Sequence, residues 1–193
     1  MTTTAVPDSA RLKITLLDLD PAPWREVEVP LSMTFKGLHD TIQAAFLWHN
    51  SHLWEFEVGD RRYGLPLDGD DDIKDATTAR LVKLRDEGIA ELLYTYDMGD
   101  NWEHHIEVVS LFEAPSDSRL PAFIAGQWRR PPEDVGGAPG FEAFLEALAD
   151  PSHEEHDDLV DWYGADTFDR EDIEPDVIKI QMARLAARRR SKK

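Results

Sequence analysis

The chain has 193 residues and carries 21 lysines and arginines against 39 aspartates and glutamates, which gives a formal net charge of −18. A hydrophobic content of 41% and a charged content of 31% are typical of a soluble globular protein, and no apolar run approaches the roughly 18 residues that span a bilayer. The absence of cysteine excludes disulfides, thiolate metal sites, iron–sulfur clusters and cysteine nucleophiles.

The first third of the chain predicts a hairpin, a helix and a third strand. Residues 1–10 lack a basic start and an apolar segment, so we expect a disordered lead-in, no signal peptide and a cytoplasmic protein. Alternating apolar residues predict strands over 11–18 and 24–29, and a third over 53–58. Thr34 can cap a helix whose apolar stripe is Leu38, Ile42, Ala45 and Phe46. This order of elements resembles a β-grasp arrangement.

The middle of the chain predicts an acidic loop and a second hairpin. Residues 67–75 lack the glycine and glutamate that a calcium loop of the EF-hand type needs, so we predict a solvated loop. Residues 91–109 alternate in polarity on both sides of Gly99, which allows the left-handed backbone of a tight turn.

The last third of the chain is predicted to be helical. After a loop rich in proline and glycine over 127–140, an apolar stripe predicts a helix over 141–148. A second helix is expected to begin at Pro151, and a third to begin near Pro175. We therefore expect an α+β fold with a single domain over 11–183. In it, a β-grasp-like hairpin–helix–strand sheet is extended by the second hairpin, and the C-terminal helices pack on this sheet.

The basic residues concentrate at the end of the chain. Residues 184–193 contain six basic residues and no acidic one, whereas the rest of the chain is strongly acidic. Because the acidic body repels phosphate backbones, we do not expect duplex DNA to bind along the main surface. The basic tail is interpreted as a solvated helix end, and a weak nucleic-acid contact is the alternative.

The second hairpin carries the most concentrated polar chemistry. Asp97 and Asp100 flank its turn, where their carboxylates can bond backbone amides, bind a cation or act in acid–base chemistry. His104 lies on the apolar face of the return strand, either as a core histidine or as a group lining a pocket. With two acids from the Pro/Gly loop, these residues form a predicted binding cleft: Tyr96, Asp97, Asp100, Trp102, His104, Glu133 and Asp134.

Two histidine-rich segments are further candidates. His153 and His156 lie three residues apart on the predicted second helix, so with Asp157 they could hold a divalent metal, or form a solvated helix face. No other cofactor is indicated. Residues 48–52 (WHNSH) could line a recognition surface, but a packed tryptophan with exposed histidines is the preferred interpretation.

Several sequence blocks resemble the plasmid pRiA4b ORF-3-like family. They are residues 51–56 (SHLWEF), 94–106 (YTYDMGDNWEHHI), 131–137 (PPEDVGG) and 150–156 (DPSHEEH), in the order of that family. The resemblance implies an α+β protein of obscure function, from a family found on plasmids and as passengers of insertion elements. Some members are labelled resolvase-like. A recombinase, however, needs arginines around its nucleophile, and the tyrosines here stand among acids that would repel a scissile phosphate.

Three functions remain open from the sequence. The preferred one is a binding or interaction module of a mobile-element family, which uses the acidic and histidine-containing cleft to bind a protein or small molecule. The second is a metal-dependent hydrolase whose ligands include His104, His153 and His156. The third is a weak nucleic-acid contact through residues 184–193.

Overall fold

A mixed sheet and five helices make up the part of the chain that the structure describes. The structure is a computed structural model and describes residues 6–66 and 72–190. Its strands are β1 (Ser9–Leu16), β2 (Trp24–Pro30), β3 (Trp54–Val58), β4 (Arg61–Gly64), β5 (Ile73–Asp75), β6 (Glu91–Tyr96), β7 (Trp102–Phe112) and β8 (Ala122–Gln127). Its helices are α1 (Phe35–Phe46), α2 (Val82–Asp86), α3 (Gly137–Ala149), α4 (His156–Tyr163) and α5 (Pro175–Arg190). The predicted α+β class is therefore confirmed.

The strands form one sheet in the order β5-β4-β3-β6-β7-β1-β2-β8. All neighbouring pairs are antiparallel except β4 and β5. The second hairpin, β6–β7, belongs to this sheet as predicted, and it lies between the first hairpin and β3. Helix α1 packs against β2, β4 and α5, and α5 also packs on β8.

The core follows from the periodicities of the sequence. Leu12, Ile14 and Leu16 are fully buried on one face of β1, as their alternation predicts. The hydroxyl of Thr34 accepts a hydrogen bond from the Gly37 amide at 3.2 Å and caps α1 as predicted. One hydrophobic cluster runs from Ala10 in β1 to residues of α5.

Some boundaries differ from the predictions. Strand β1 begins at Ser9, and Ser9 and Ala10 are buried, so the predicted lead-in over 1–10 is two residues too long. Helix α5 continues to Arg190 with Ala186 buried, so residues 184–190 belong to a packed helix and are not a separate tail. Strand β8 and the short helix α2 were not predicted. Most of the acidic loop over 67–75 lies outside the described residues.

Two buried arginines fix the C-terminal end of α1. Arg25 donates to the carbonyl of Ala45 at 2.9 Å, and Arg130 donates to the carbonyl of Leu47 at 2.7 Å. Arg25 also donates to the carbonyls of Gln127 and Trp128, at 3.0 Å each. The carbonyls of Ala45 and Leu47, at the end of α1, lack partners within the helix. Cations are favourable there, because this is the negative end of the helix dipole. The two side chains therefore attach the loop after β8 to α1.

Candidate metal centre

Three carboxylates surround one imidazole nitrogen at the end of the β6–β7 hairpin. His52 Nε2 lies 3.1 Å from Asp134 Oδ1, 3.4 Å from Glu133 Oε2 and 3.5 Å from Asp97 Oδ2. The nitrogen is buried, yet none of the three contacts has the geometry of a hydrogen bond. Asp97 and Glu133 are also buried, and the described residues give neither an ion pair with lysine or arginine. Buried carboxylates of this kind are stabilised by a nearby cation.

The spacing of these atoms is that of ligands around a small divalent ion. Two atoms that each lie about 2.1 Å from an ion are about 3.0 Å apart in octahedral geometry and about 3.4 Å apart in tetrahedral geometry. The distances from His52 Nε2 to Asp134 and Glu133 fall in this range, and the distance to Asp97, 3.5 Å, lies just above it. In the described part of the chain, one group of three or more histidines, aspartates or glutamates has its candidate ligand atoms all within 4.8 Å of one another. It consists of His52, Asp97 and Asp134. The group can therefore accept an ion with little movement.

Strand pairing places His52 beside Asp97. Trp54 of β3 pairs with Tyr96 of β6, and the amide of Asp97 donates to the carbonyl of Leu53 at 2.9 Å. Asp97 has a left-handed backbone with φ 58°, and its Oδ1 accepts from the amide of Gly99 at 2.9 Å. The other oxygen, Oδ2, is thereby directed at His52. One carboxylate thus both shapes the turn and supplies a ligand atom.

Glu133 is held in place by neighbours on the segment after α1. The amide of His49 donates to Glu133 Oε1 at 2.6 Å. The hydroxyl of Tyr96 accepts from the amide of Ser51 at 3.0 Å and donates to Glu133 Oε2 at 3.3 Å. Burial raises the pKa of Tyr96, and the nearby Glu133 charge acts in the same direction, so the hydroxyl keeps its proton for this bond.

The loop that carries Asp134 docks on the hairpin turn. Asp100 Oδ2 accepts from the amide of Gly136 at 3.2 Å. A Cβ on Gly137, where φ is +69°, would lie only 2.7 Å from the carbonyl oxygen of Asp100. Asp134 itself has φ 58° and a side chain that is 69% exposed. The centre therefore has two buried acids on one side and an accessible acid at its mouth.

Two residues of the predicted cleft lie in the core and do not line it. His104 is fully buried, where its Nδ1 donates to the carbonyl of Trp102 at 2.9 Å and its Nε2 accepts from Trp48 at 3.3 Å. Burial lowers the pKa of His104 to about 4, so the ring is neutral. Trp102 is also buried. Tyr96, Asp97, Glu133 and Asp134 do converge, and Asp100 holds the loop against them.

The predicted metal ligands on the second helix do not assemble. Helix α4 begins at His156, because Asp150 Oδ1 accepts from the amide and hydroxyl of Ser152 and holds residues 151–155 in turns. His153 is therefore not on the helix, and His156 Nδ1 donates to the carbonyl of Ala147 at 2.8 Å. His153, His156 and Asp157 do not form a ligand group within residues 6–66 and 72–190.

His52 was not selected from the sequence as a ligand. The prediction of exposed histidines beside a packed Trp48 is correct for the tryptophan, which is buried. The side chain of His52, however, is only 27% exposed and points at three acids. The signal that the sequence offered was the position of His52 in the SHLWEF block. His52 comes immediately before a strand, at the same end of the sheet as the YTYD block.

A groove adjoins the centre. A cavity of about 390 Å³ is lined by Glu133 and Asp134 at one end and by Trp162, Tyr163 and Phe168. A larger groove of about 1140 Å³ lies between α1 and α5. The two share Leu47, His49, Arg129, Arg130 and Glu174 as lining residues. The two cavities therefore adjoin one another, and the smaller one borders the metal centre through Glu133 and Asp134.

Within the described ranges, no helix is long and apolar enough to cross a bilayer.

Comparisons with known proteins agree on the family. The chain is 40% identical over 161 residues to the uncharacterized protein y4hQ of Sinorhizobium fredii, a match that covers 82% of each chain. It is also similar to the crystal structure of the protein of unknown function MM3350 from Methanosarcina mazei Go1, with a TM-score of 0.78 and 33% identity over 89% of this chain and 98% of that one. The family model described as plasmid pRiA4b ORF-3-like protein matches residues 8–177. The chain therefore belongs to the plasmid pRiA4b ORF-3-like family, as its sequence blocks predicted.

Proposed function

We propose that the protein binds a divalent metal ion through His52 Nε2, Asp97 Oδ2 and Asp134 Oδ1, and that the ion serves a ligand-binding site. The observation that carries the proposal is the buried Nε2 of His52, which has no hydrogen bond and faces three carboxylate oxygens at 3.1–3.5 Å. This arrangement refines the acidic and histidine-containing cleft that the sequence predicts.

The donor set indicates a class of ion. Carboxylate oxygens suit magnesium, calcium and manganese, whereas an imidazole nitrogen suits zinc, iron, copper and nickel. A site with one nitrogen and two or three oxygens is therefore best matched by manganese, iron or zinc in the divalent state. Glu133 is placed as a fourth ligand or as a neighbour of water on the ion.

The test compares two aspartates with the same charge and similar exposure. Isothermal titration with Mn²⁺ and Zn²⁺, with elemental analysis of purified protein, is expected to show about one ion per chain. Asp134→Asn is expected to weaken binding at least tenfold, because the exposed side chain supplies a ligand atom at little cost to the fold. Asp157→Asn, a control in the rejected cluster, is expected to bind as the wild type does. Equal affinity in the two variants would refute the proposal.

Metal-dependent hydrolysis is the second candidate function. The observation that favours it is Glu133, which is buried, lies next to the ion position, and borders the cavity of about 390 Å³. In such a reaction water adds to a phosphorus or carbonyl carbon, Glu133 accepts its proton, and the alcohol or amine leaves with a proton. Tyr96 and the His49 amide orient Glu133 for this role.

A substitution at Glu133 separates the two functions. If the protein hydrolyses a phosphodiester such as bis(p-nitrophenyl) phosphate, Glu133→Gln is expected to lower kcat by about 10²-fold or more while the chain still binds metal. Activity unchanged in Glu133→Gln would refute the role of Glu133 as the base. No turnover with any added divalent ion would leave the protein as a metal-dependent binding module.

A further inference from the structure

The groove between α1 and α5 is basic in a strongly acidic protein. Its lining contains six basic and only two acidic side chains, although the chain as a whole has a net charge of −18. The basic residues are Lys36, Arg129, Arg130, Arg184, Arg188 and Arg189. The two acids, Asp40 and Glu174, pair with Lys36 and Arg129. The lining therefore carries four more basic than acidic side chains.

The positive charge is spread along the groove. Arg184 and Arg188 are exposed on α5, one helical turn apart. At the far end, Arg189 donates to the hydroxyl of Ser32 at 3.3 Å, while Arg80 donates to the carbonyl of the same residue at 2.8 Å. Burial lowers the pKa of Arg189, and the neighbouring charge of Arg80 lowers it further. Cations arranged in a line suit a ligand with several successive anions better than a single one.

The end of the groove near the metal centre has an aromatic wall. Trp162 is 48% exposed although it is a large apolar side chain, and it lines the smaller cavity beside Tyr163 and Phe168. Its ring packs at 5.9 Å against Phe144, which is buried, so its position is supported from behind. An exposed, supported indole beside a basic groove is the arrangement on which nucleic-acid bases stack.

We propose that the groove binds a short single-stranded oligonucleotide, with phosphates along Arg184 and Arg188, a base against Trp162, and the leading phosphate at the metal centre. This proposal rests on the proposed metal site for its last contact only. Helix α1 has 12 residues and is therefore about 18 Å long, enough for roughly three nucleotides. Duplex DNA would contact a larger part of a surface whose net charge is −18, which disfavours it.

The metal has a defined electrostatic role in this binding. Glu133 and Asp134 line the end of the groove and repel a phosphate as long as their charges are not neutralised. We therefore expect an added divalent ion to tighten binding, whereas the contacts along α5 contribute with or without it. Loss of the metal effect and loss of groove binding are thus separable results.

The experiment measures binding by fluorescence anisotropy, with fluorescein-labelled single-stranded RNA and DNA of eight nucleotides as the probes. Each probe is titrated at 50 and 200 mM salt, once with Mn²⁺ and once with a chelator. The full chain is expected to bind with salt-dependent affinity that Mn²⁺ increases. Arg184→Gln/Arg188→Gln is expected to weaken binding about tenfold and to flatten the salt dependence, because two phosphate contacts are lost. Trp162→Ala is expected to weaken binding several-fold.

Matched controls keep the result specific. Lys179→Gln/Arg190→Gln removes the same charge from the same helix at exposed residues outside the groove, and it is expected to change affinity less than twofold. Ile180→Ala is the corresponding control for Trp162→Ala, since Ile180 is 53% exposed on α5 and does not line the groove.

Four outcomes would overturn the proposal. The first is no binding of either oligonucleotide at 50 mM salt, and the second is an equal loss of affinity in the two double variants. The third is competition by polyglutamate that is as strong as competition by unlabelled oligonucleotide. The fourth is binding of a mononucleotide without binding of the oligonucleotide. If Mn²⁺ has no effect but the groove variants still lose affinity, the metal contact fails and the groove assignment stands.

Discussion

Histidines in this protein serve two different purposes, which their surroundings separate. His39 and His104 are buried and fully hydrogen-bonded, whereas His52 Nε2 is buried without a hydrogen bond. His39 Nε2 donates to Asn50 Oδ1 at 2.7 Å and its Nδ1 accepts from Tyr94 at 2.8 Å, which requires a neutral ring. Sequence alone could not distinguish these cases, because most of the partners, such as Trp48 for His104 and Asp97 for His52, come from distant segments of the chain.

The neutral histidines predict a loss of stability in acid. Burial lowers the pKa of His39 to about 3 and that of His104 to about 4, whereas the pKa in the unfolded chain is 6.5. The unfolded state therefore takes up protons first, and the free energy of unfolding falls as the pH drops from about 6.5 towards 4. Each of the two histidines is expected to lower the free energy of unfolding by about 2 kcal/mol at pH 5, relative to pH 7.5. Urea unfolding at pH 7.5 and pH 5 measures this loss.

A direct check on these two rings is an NMR titration of the seven histidines. Two imidazole signals, assigned with His39→Gln and His104→Gln, are expected not to shift between pH 8 and pH 5. Titration of both rings near pH 6.5 would contradict their buried, neutral state.

The β6–β7 turn and the loop after β8 act as one unit. The sequence predicted the hairpin through its alternation around Gly99, and it selected both segments as parts of one cleft. It could not predict that they touch, because the contact depends on the order of strands in the sheet and on Arg25 and Arg130, which attach the loop to α1. Nor could it show that residues 151–155 are turns, because Ser152 competes locally with the helix.

The close contact at Gly137 predicts a coupled effect of substitution. Gly137→Ala is expected to destabilise the fold by about 1–3 kcal/mol and to weaken Mn²⁺ binding about tenfold, because the new Cβ forces the loop with Asp134 away from Asp100. Gly88→Ala is the control, since Gly88 also has a positive φ (+65°) but no atom lies within 4 Å of its added Cβ. It is expected to cost about 1–2 kcal/mol and to leave metal binding unchanged. Similar metal affinities in the two variants would contradict the docking of loop on turn.

At the scale of the whole molecule, opposite charges are concentrated at two neighbouring sites. One is the basic groove between α1 and α5, and the other is the acidic metal centre. Net charge alone predicted a surface that repels phosphates over most of its area, whereas the α+β class was predicted from the order of strands and helices. The basic residues at the chain end were interpreted as a solvated helix end, but the packing of α5 on α1 places Arg184, Arg188 and Arg189 in a groove beside the acidic centre. This arrangement depends on tertiary packing between residues more than 100 positions apart, which no local pattern reports.

Binding of an ion by the folded chain alone predicts a shift in thermal stability. At 100 times the dissociation constant, Mn²⁺ or Zn²⁺ is expected to add about 2.7 kcal/mol, which raises the Tm by about 5–10 °C for a chain of this length. Asp134→Asn is expected to reduce the shift by about half or more, because a tenfold weaker site adds only about 1.4 kcal/mol at the same ion concentration, and Asp157→Asn is expected to retain it. Equal shifts in both variants, measured by differential scanning calorimetry, would indicate that the ion binds elsewhere.

The most direct measurement of the central claim is anomalous X-ray scattering from crystals grown with Mn²⁺ or Zn²⁺. The account predicts one strong anomalous peak about 2.0–2.3 Å from His52 Nε2, Asp97 Oδ2 and Asp134 Oδ1, next to Glu133. A peak at His153 and His156, or no peak at the His52 cluster in metal-saturated crystals, would contradict it.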